Sequence, residues 1–278
     1  MKARVKFSKT GSMRFIGHLD IMRYFQKAFR RAGIGVALSQ GFSPHPLMSF
    51  ASPLGIGLSS DGEYLDIVLQ DDEPLEGILE RMNGQMNEEI QVKSFVVLEE
   101  EAKTSMAVLA ACDYLIAVKP DRDRFLLDEV RRREALSRFR GREHIEILKK
   151  TKRSEKLVDI RENIYCITDD GEEFRRITGG FSGDYPIALG EEFKPVLYCE
   201  LTAGSVTNIK PELVLEALCH QEGEEYDWLV YQIHRLEMYA DVDGVKGEVH
   251  TLVSEKPCRL VPLEEFEVQE AGRWKISY

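Results

Sequence analysis

Two histidines stand near a cluster of basic residues early in the chain, and together they could support acid–base chemistry. His18 lies in the stretch RFIGHLD, and His45 lies between two prolines in GFSPHP. In metal-free RNA cleavage, one imidazole removes a proton from a 2′-hydroxyl and another group protonates the leaving oxygen, while a cation stabilises the transition state. His18 and His45 are therefore candidates for such a pair, and no residue is assigned as catalytic.

Each histidine also has a structural interpretation. His18 starts a helical pattern in line with Met22 and Phe25, which is typical of a residue that caps a helix or borders its core. The prolines around His45 stiffen the backbone, which suits a recognition loop and a structural turn equally well. His18 and Asp20 are two residues apart on a helix and point in different directions, so we expect no metal site.

The charge distribution favours a polyanionic partner although the net charge is −11. Residues 1–60 contain nine Lys or Arg and a single acid, and residues 131–156 contain eleven basic and four acidic residues. The local field, not the net charge, decides what a surface attracts. Two basic faces on an acidic body fit a phosphate backbone, and a solvated surface without a ligand is the alternative.

These two basic stretches supply the predicted nucleic-acid contacts. The first set combines cations with a loop aromatic and a histidine: Arg14, Arg23, Lys27, Arg30, Arg31, Phe42 and His45. The second set forms a secondary basic face: Arg131, Arg132, Arg133, Arg138, Arg140, Lys149 and Lys150. In the first set an exposed aromatic ring beside cations would let an RNA base stack on it.

The sequence lacks the signatures of other kinds of functional site. The five cysteines include no CxxC pair, so we expect small buried hydrophobic residues and neither zinc nor an iron–sulfur cluster. The glycines of PLGIGLSSDG lack the Gly-Lys-Ser/Thr of a phosphate loop. No cofactor is expected. The sequence has no apolar run long enough for a membrane span and no apolar signal core at its start, so we expect a cytoplasmic protein.

Hydrophobic periodicity predicts the elements that must position these residues. The first half is predicted to contain a strand, helix, strand, strand, helix and strand, at 2–8, 18–33, 46–52, 62–70, 73–84 and 89–99. This β-α-β-β-α-β order is that of a ferredoxin-like unit, which has a four-stranded antiparallel sheet with both helices on one face.

The order repeats in the second half, so the predicted fold class is α+β with two tandem ferredoxin-like units. Elements are predicted at 112–120, 121–139, 144–150, 194–204, 210–220 and 228–240, with an insertion at about 155–192. Within that insertion Asp169-Asp170-Gly171 predicts a β-hairpin turn. The predicted domains are 1–104 and 105–240, followed by a small β appendage at 241–278.

Two long segments carry a family resemblance. RFIGHLDIMRYFQKAFRRAGI and SQGFSPHPLMSFASPLGIGLSSDGEYLDIVL resemble the radical-SAM-linked proteins, a bacterial family of uncharacterised function. VDIRENI, LTAGSVTNIKPELVLEAL and IHRLEMY resemble later motifs of that family. Ser43 stands where the family tends to have Asn, and Gly35 and Leu38 mark two more mild departures.

The resemblance implies a partner and not a reaction, because such proteins are encoded beside, or fused to, a radical SAM protein. This chain lacks the CxxxCxxC loop of radical SAM enzymes, so it is not that enzyme itself. We expect an accessory module that binds a structured RNA (tRNA or rRNA) and presents it for modification. The alternatives are a metal-independent endoribonuclease using His18 and His45, and a protein–protein adaptor without RNA binding.

Overall fold

The computed structural model of the protein describes residues 1–70, 73–123, 125–150, 155–178, 189, 192–205, 207–242 and 259–275. Helices and strands both occur throughout it, which confirms the predicted α+β class. The chain divides into two units. The first contains Met1–Leu109, Glu237–Ala240 and Val261–Tyr278, and the second contains Ala110–Leu236 and Asp241–Leu260.

The first unit is a sheet with helices packed on its apolar face. Its strands are β1 (Lys2–Lys9), β2 (Met48–Phe50), β3 (Ser59–Val68) and β4 (Ile90–Leu98), and its helices are α1 (His18–Arg31), α2 (Ile78–Asn83) and α3 (Ser105–Val108). β1 lies between β3 and β4 and pairs antiparallel with both, while β2 pairs antiparallel with β3.

Helix α1 follows its predicted amphipathic pattern. Ile21, Phe25, Ala28 and Phe29 are buried in the core of the unit, and their spacing places them on one side of the helix. The helix ends where Gly33 adopts a φ of 65°, a left-handed conformation that glycine tolerates best. The opposite side of α1 is therefore left for its charged residues.

Helix α2 is shorter than the predicted 73–84. Gly77 takes a left-handed φ of 61° immediately before the helix, so the regular turns begin only at Ile78. Its buried residues Ile78, Leu79 and Met82 still pack into the same core as α1.

The two faces of β1 carry different chemistry. Ala3, Val5 and Phe7 join the apolar core below the helices, whereas the alternate residues Arg4 and Lys6 point to the other face, as strand geometry requires. That second face is also largely shielded from water, because Arg4 is fully buried and the Lys6 side chain is only 15% exposed.

The buried Arg4 guanidinium is satisfied by groups from distant parts of the chain. It forms a two-pronged ion pair with Asp66, with Nε 2.8 Å from Oδ1 and Nη2 3.3 Å from Oδ2. Its remaining N–H groups donate to the backbone carbonyls of Leu263, Phe266 and Lys103. Asp66 in turn accepts the backbone N–H of Ser105. One arginine thus ties β1, β3, residues 103–105 and the C-terminal segment together.

The second unit has the strands β5 (Leu109–Val118), β6 (Glu146–Lys150), β7 (Glu155–Asp159), β8 (Ile164–Thr168), β9 (Lys194–Thr202) and β10 (Tyr231–Asp241). Leu109 of β5 and Glu237–Ala240 of β10 belong to the first unit. Its helices are α4 (Glu129–Arg140), α5 (Gly171–Thr178) and α6 (Pro211–Gln221). β9 pairs antiparallel with β5 on one side and with β8 on the other, while β6 and β7 form a separate two-stranded sheet.

Two local predictions in the second unit were wrong. Asp169-Asp170-Gly171 starts helix α5 and does not turn a hairpin, because the Asp170 carboxylate accepts the backbone N–H groups of Glu172 and Glu173 and so caps a helix. The hairpin is β6–β7 instead, and β8 lies beside β9. Helix α4 starts at Glu129, not at 121, because Asp128 caps it through the N–H of Arg131.

The C-terminal segment contributes β11 (Leu260–Pro262) and β12 (Val268–Lys275). β12 pairs antiparallel with β4 and extends the sheet of the first unit at that edge. The domain limits predicted at 104 and 240 stay predictions.

The Arg4 contacts lead to a first prediction. Arg4→Met should lower the free energy of unfolding by about 3–5 kcal/mol, because it leaves the Asp66 carboxylate buried without its counter-charge. Urea unfolding followed by circular dichroism measures this value. The matched control is Lys2→Met on the same strand, where an exposed amine is removed and we expect a change of about 0.5 kcal/mol.

A double variant separates loss of the ion pair from loss of packing. Arg4→Met combined with Asp66→Leu removes both charges, and we expect it to be more stable than Arg4→Met alone. If Arg4→Met costs no more than Lys2→Met, the proposed role of this ion pair is wrong.

Candidate functional site

The residues around His18 meet in a small cleft of the first unit. The cleft is lined by residues from β1, α1, β2, β3 and the segment after β2: Phe7, Lys9, His18, Ile21, Phe50, Ser52, Pro53, Leu54 and Glu63. Its volume is about 20 Å³, which is close to the space that one water molecule needs. In this conformation the cleft has no room for a nucleobase.

His18 is held at this cleft by packing and by its position at the start of a helix. Its ring stands edge-on to Phe50, with 5.1 Å between the ring centroids and an interplanar angle of 78°. The buried Lys9 ammonium donates to the carbonyl of Ile16, just ahead of α1, at 2.8 Å. Glu63 is also buried here, so an acidic residue that was not predicted lies beside His18 together with Lys9.

His45 braces its own loop. Its ring Nδ1 lies 2.8 Å from the Ser39 hydroxyl, and its backbone N–H donates to the same oxygen at 3.1 Å. The backbone N–H of Ser39 donates back to the carbonyl of His45 at 2.8 Å. The side chain is exposed at the surface, and His45 is not among the residues that line the His18 cleft. The structure therefore places the two histidines in different local settings.

The cations of α1 form an exposed row. Arg23, Lys27 and Arg30 are spaced to share one side of the helix, and all three are exposed. Arg23 pairs with Asp20 at 3.2 Å across a well-hydrated surface, where such a pair contributes little. Within the described residues, the side chains of Lys27 and Arg30 make no hydrogen bond or ion pair.

The other residues of the first set differ in how free their side chains are to contact a nucleic acid. Arg31 is exposed, but its guanidinium donates to the carbonyl of Gln85 at 2.6 Å. Arg14 is half-buried and lies over the ring of Phe15, with 4.8 Å from its guanidinium carbon to the ring centroid. Phe42 is fully exposed at the tip of the His45 loop. The predicted first set thus contains three available helix cations and one available aromatic ring.

The arginines of the secondary basic face are largely occupied by carboxylates of their own unit. The ion pairs are Arg131–Glu224 at 2.6 Å, Arg132–Asp169 at 3.1 Å, Arg133–Glu129 at 2.8 Å, Arg138–Glu222 at 2.7 Å and Arg140–Glu173 at 3.6 Å. The hydrogen bond with Arg138 also lowers the pKa of Glu222. Lys149 and Lys150 lie in β6, and their side chains are outside the described part of the structure.

A buried acid pair in the second unit was missed by the sequence analysis. Asp113 on β5 and Glu200 on β9 are direct cross-strand partners, and both are buried. Burial raises the pKa of Glu200 to about 7, although a hydrogen bond with Asp113 acts in the opposite direction. The available signal was an acidic residue inside each of the apolar runs CDYLIAV and LYCELT.

The cysteines have the buried environment that was expected of them. Cys112, Cys166, Cys199 and Cys219 are free thiols and all four are buried, while Cys258 lies outside the described residues. Burial raises the pKa of Cys166 to about 12, so its sulfur is a thiol and not a reactive thiolate at neutral pH. Among the described residues, no cluster of three or more His, Cys, Asp or Glu could hold a metal ion.

Comparison with known proteins identifies the family. Residues 2–211 match a family described as an uncharacterised protein conserved in bacteria (DUF2344), and the chain belongs to that family. A search of the curated proteins finds no match. Among the described residues, no helix is both long and apolar enough to span a membrane.

The Glu200 environment predicts a pH dependence of stability. Because the folded pKa of Glu200 lies near 7 and its ordinary value is 4.5, the native state keeps a proton that the unfolded chain has released. Stability should therefore fall as the pH rises from about 4.5 to 7. Glu200→Gln should remove this slope and be more stable than the parent protein at pH 8, by on the order of 2–3 kcal/mol.

Urea unfolding at pH 5, 6, 7 and 8 measures this effect. Glu225→Gln is the matched control, because Glu225 is an exposed glutamate of the same unit and should leave the slope unchanged. An identical slope in Glu200→Gln and in the parent protein would show that Glu200 does not retain the proton.

Proposed function

We propose that this protein is a non-catalytic accessory module that binds a structured RNA, either tRNA or rRNA, and presents it to a radical SAM enzyme encoded nearby. The observation that carries the RNA-binding part is the contrast between the two basic stretches. Lys27 and Arg30 of α1 are exposed and make no ion pair within the described residues, whereas Arg131, Arg132 and Arg138 of the second stretch already have carboxylate partners.

The α1 row suits a phosphate backbone. Arg23, Lys27 and Arg30 occupy successive turns over about 10 Å of helix, so several phosphates of one strand could meet them. Exposed cations gain by displacing the counterions of a nucleic acid, and this gain does not require a preformed pocket. Lys27 and Arg30 have no ion pair to break within the described residues, which favours them as the principal contacts.

The loop at Phe42 provides a second element of the interface. Ser39 and His45 close it through a backbone hydrogen bond and through the contact between the serine hydroxyl and the imidazole. A loop that is already ordered loses little conformational entropy when it binds. Phe42 stands exposed on this loop, and its ring face can accept an unpaired base. In this proposal His45 positions Phe42 and does not itself perform chemistry.

The secondary basic face has a smaller role in the proposal. An incoming phosphate would have to compete with Glu222 for Arg138 and with Glu224 for Arg131. A phosphate that must displace a carboxylate from an arginine gains less binding free energy than one that contacts an unpaired cation. We therefore assign the arginines of this face to extending the RNA track and not to nucleating binding.

The fold and the partner complete the proposal. The order of β4, β1, β3 and β2 in the first unit, and of β10, β5, β9 and β8 in the second, supports a ferredoxin-like arrangement in each. The radical SAM partner rests on the resemblance of residues 14–34 and 39–69 to the radical-SAM-linked family. The absence of a CxxxCxxC loop from this chain agrees with an accessory role.

Salt-dependent binding tests the RNA interface. The affinity for unfractionated tRNA, measured by fluorescence anisotropy between about 50 and 300 mM KCl, should weaken steeply with salt. Replacing Arg23, Lys27 and Arg30 together by Gln should reduce the slope of log K against log salt by about two to three. The matched control replaces Arg131, Arg133 and Arg138 by Gln, which removes equal charge and should change the slope less.

The outcomes separate the three functional classes. Binding that does not weaken with salt, or an α1 variant that binds like the parent protein, would contradict the proposed interface. If the protein binds the radical SAM partner but no RNA, it is an adaptor.

The endoribonuclease alternative predicts a different result. Purified protein should then cleave total RNA without added metal, and His18→Ala and His45→Ala should each abolish cleavage. The accessory-module proposal predicts no cleavage by the parent protein. Cleavage that depends on both histidines would replace our proposal.

A further inference from the structure

The second unit contains a cavity that shares only Arg140 with the secondary basic face. Its volume is about 190 Å³, and it lies among α4, β8 and α5. The lining residues are mainly aliphatic and aromatic, with two arginines: Phe139, Arg140, Ile145, Arg161, Ile164, Tyr165, Cys166, Ile167 and Ile177. The combination of an apolar interior and guanidinium groups is typical of a site for a small amphipathic molecule.

The interior of the cavity is mainly apolar and contains no nucleophile. Phe139, Ile145 and Ile164 are buried, so these walls are fixed by packing. Cys166 contributes a protonated thiol, because burial raises its pKa to about 12, and it offers no nucleophile. Ile177 is 47% exposed on α5 and marks the side that is open to solvent. Such walls suit an alkyl or aryl group better than a nucleobase, whose polar edge would lack partners.

The two arginines bring positive charge to this apolar space. Arg140 donates from Nε to the carbonyl of Ile167 at 2.7 Å, and Arg161 donates to the carbonyls of Arg142 and Arg140 at 3.3 and 3.4 Å. Bonds to neutral carbonyls orient a guanidinium but leave its charge in place. Within the described residues Arg161 makes no ion pair, whereas Arg140 lies 3.6 Å from the Glu173 carboxylate.

We propose that this cavity binds a small amphipathic anion, such as a short-chain alkyl carboxylate. The alkyl chain would fill the apolar interior and the carboxylate would bind Arg161, with Arg140 beside it. A volume of about 190 Å³ is larger than the roughly 150 Å³ of an apolar cavity that holds benzene, so a chain of about six carbons can be accommodated. The positive charge selects against neutral and cationic ligands of the same length. This proposal is independent of RNA binding.

Hexanoate binding to the full chain tests the proposal. Isothermal titration calorimetry should show that affinity rises about fourfold for each methylene from butyrate to hexanoate, because each one leaves water for an apolar wall. Hexan-1-ol should bind more weakly than hexanoate, and hexylammonium should not bind. Hexanoate should shift the NMR amide signals of β8 and α5 in a ¹⁵N-labelled sample.

Two variants address the two halves of the site. Arg161→Gln should weaken hexanoate binding by about tenfold or more through loss of a charge-assisted contact, with little effect on hexan-1-ol. Ile177→Asp places a negative charge at the half-exposed edge of the cavity and should weaken hexanoate without disturbing the buried core. The matched control is Arg142→Gln, since Arg142 is exposed nearby and does not line the cavity. Circular dichroism verifies that each variant is folded.

Three results would overturn this assignment. These results are the absence of hexanoate binding, hexanoate binding that is no tighter than butyrate binding, and hexylammonium binding that is as tight as hexanoate binding. Normal hexanoate affinity in both folded variants would also place the ligand elsewhere.

Discussion

The buried ion pair between Arg4 and Asp66 is the constraint on which the first unit depends. A guanidinium without access to water must have its charge compensated and its N–H groups bonded, or the unit loses several kcal/mol. Asp66 supplies the charge, and the carbonyls of Lys103, Leu263 and Phe266 supply most of the remaining acceptors. Because these groups come from three distant segments, the arginine can be satisfied only when all three have reached their places.

The same face of the sheet extends this polar interior. Lys6 lies 2.5 Å from the Glu237 carboxylate and also pairs with Glu264, and the Tyr64 hydroxyl donates to Glu237. Burial, reinforced by these two carboxylates, holds the pKa of Tyr64 well above its ordinary value. One face of β1 is therefore stabilised by apolar packing and the other by charge pairing. The sheet against which α1 packs therefore has stabilising contacts on both of its faces.

The two basic stretches show why composition alone does not define an interface. Both carry a marked excess of positive charge, yet Arg131 and Arg138 meet Glu224 and Glu222, while Lys27 and Arg30 meet no acid among the described residues. A carboxylate close to an arginine cancels most of its field at a distance, and an unpaired cation keeps its attraction for a polyanion. The availability of a charge, and not its count, distinguishes the two surfaces.

The sequence by itself determined the α+β class, most strands and the amphipathic α1, because a periodic apolar pattern reports which side of an element is buried. The prediction of a hairpin turn at Asp169–Gly171 was wrong, because the same residue types favour a hairpin turn and a helix cap. Only the contacts of Asp170 distinguish the two. The role of His45 as a loop brace, the partners of Arg4 and the Asp113–Glu200 pair were decided by the tertiary structure. Their partners, from six residues away at His45 to more than two hundred at Arg4, meet only on folding, and no local pattern encodes that distance.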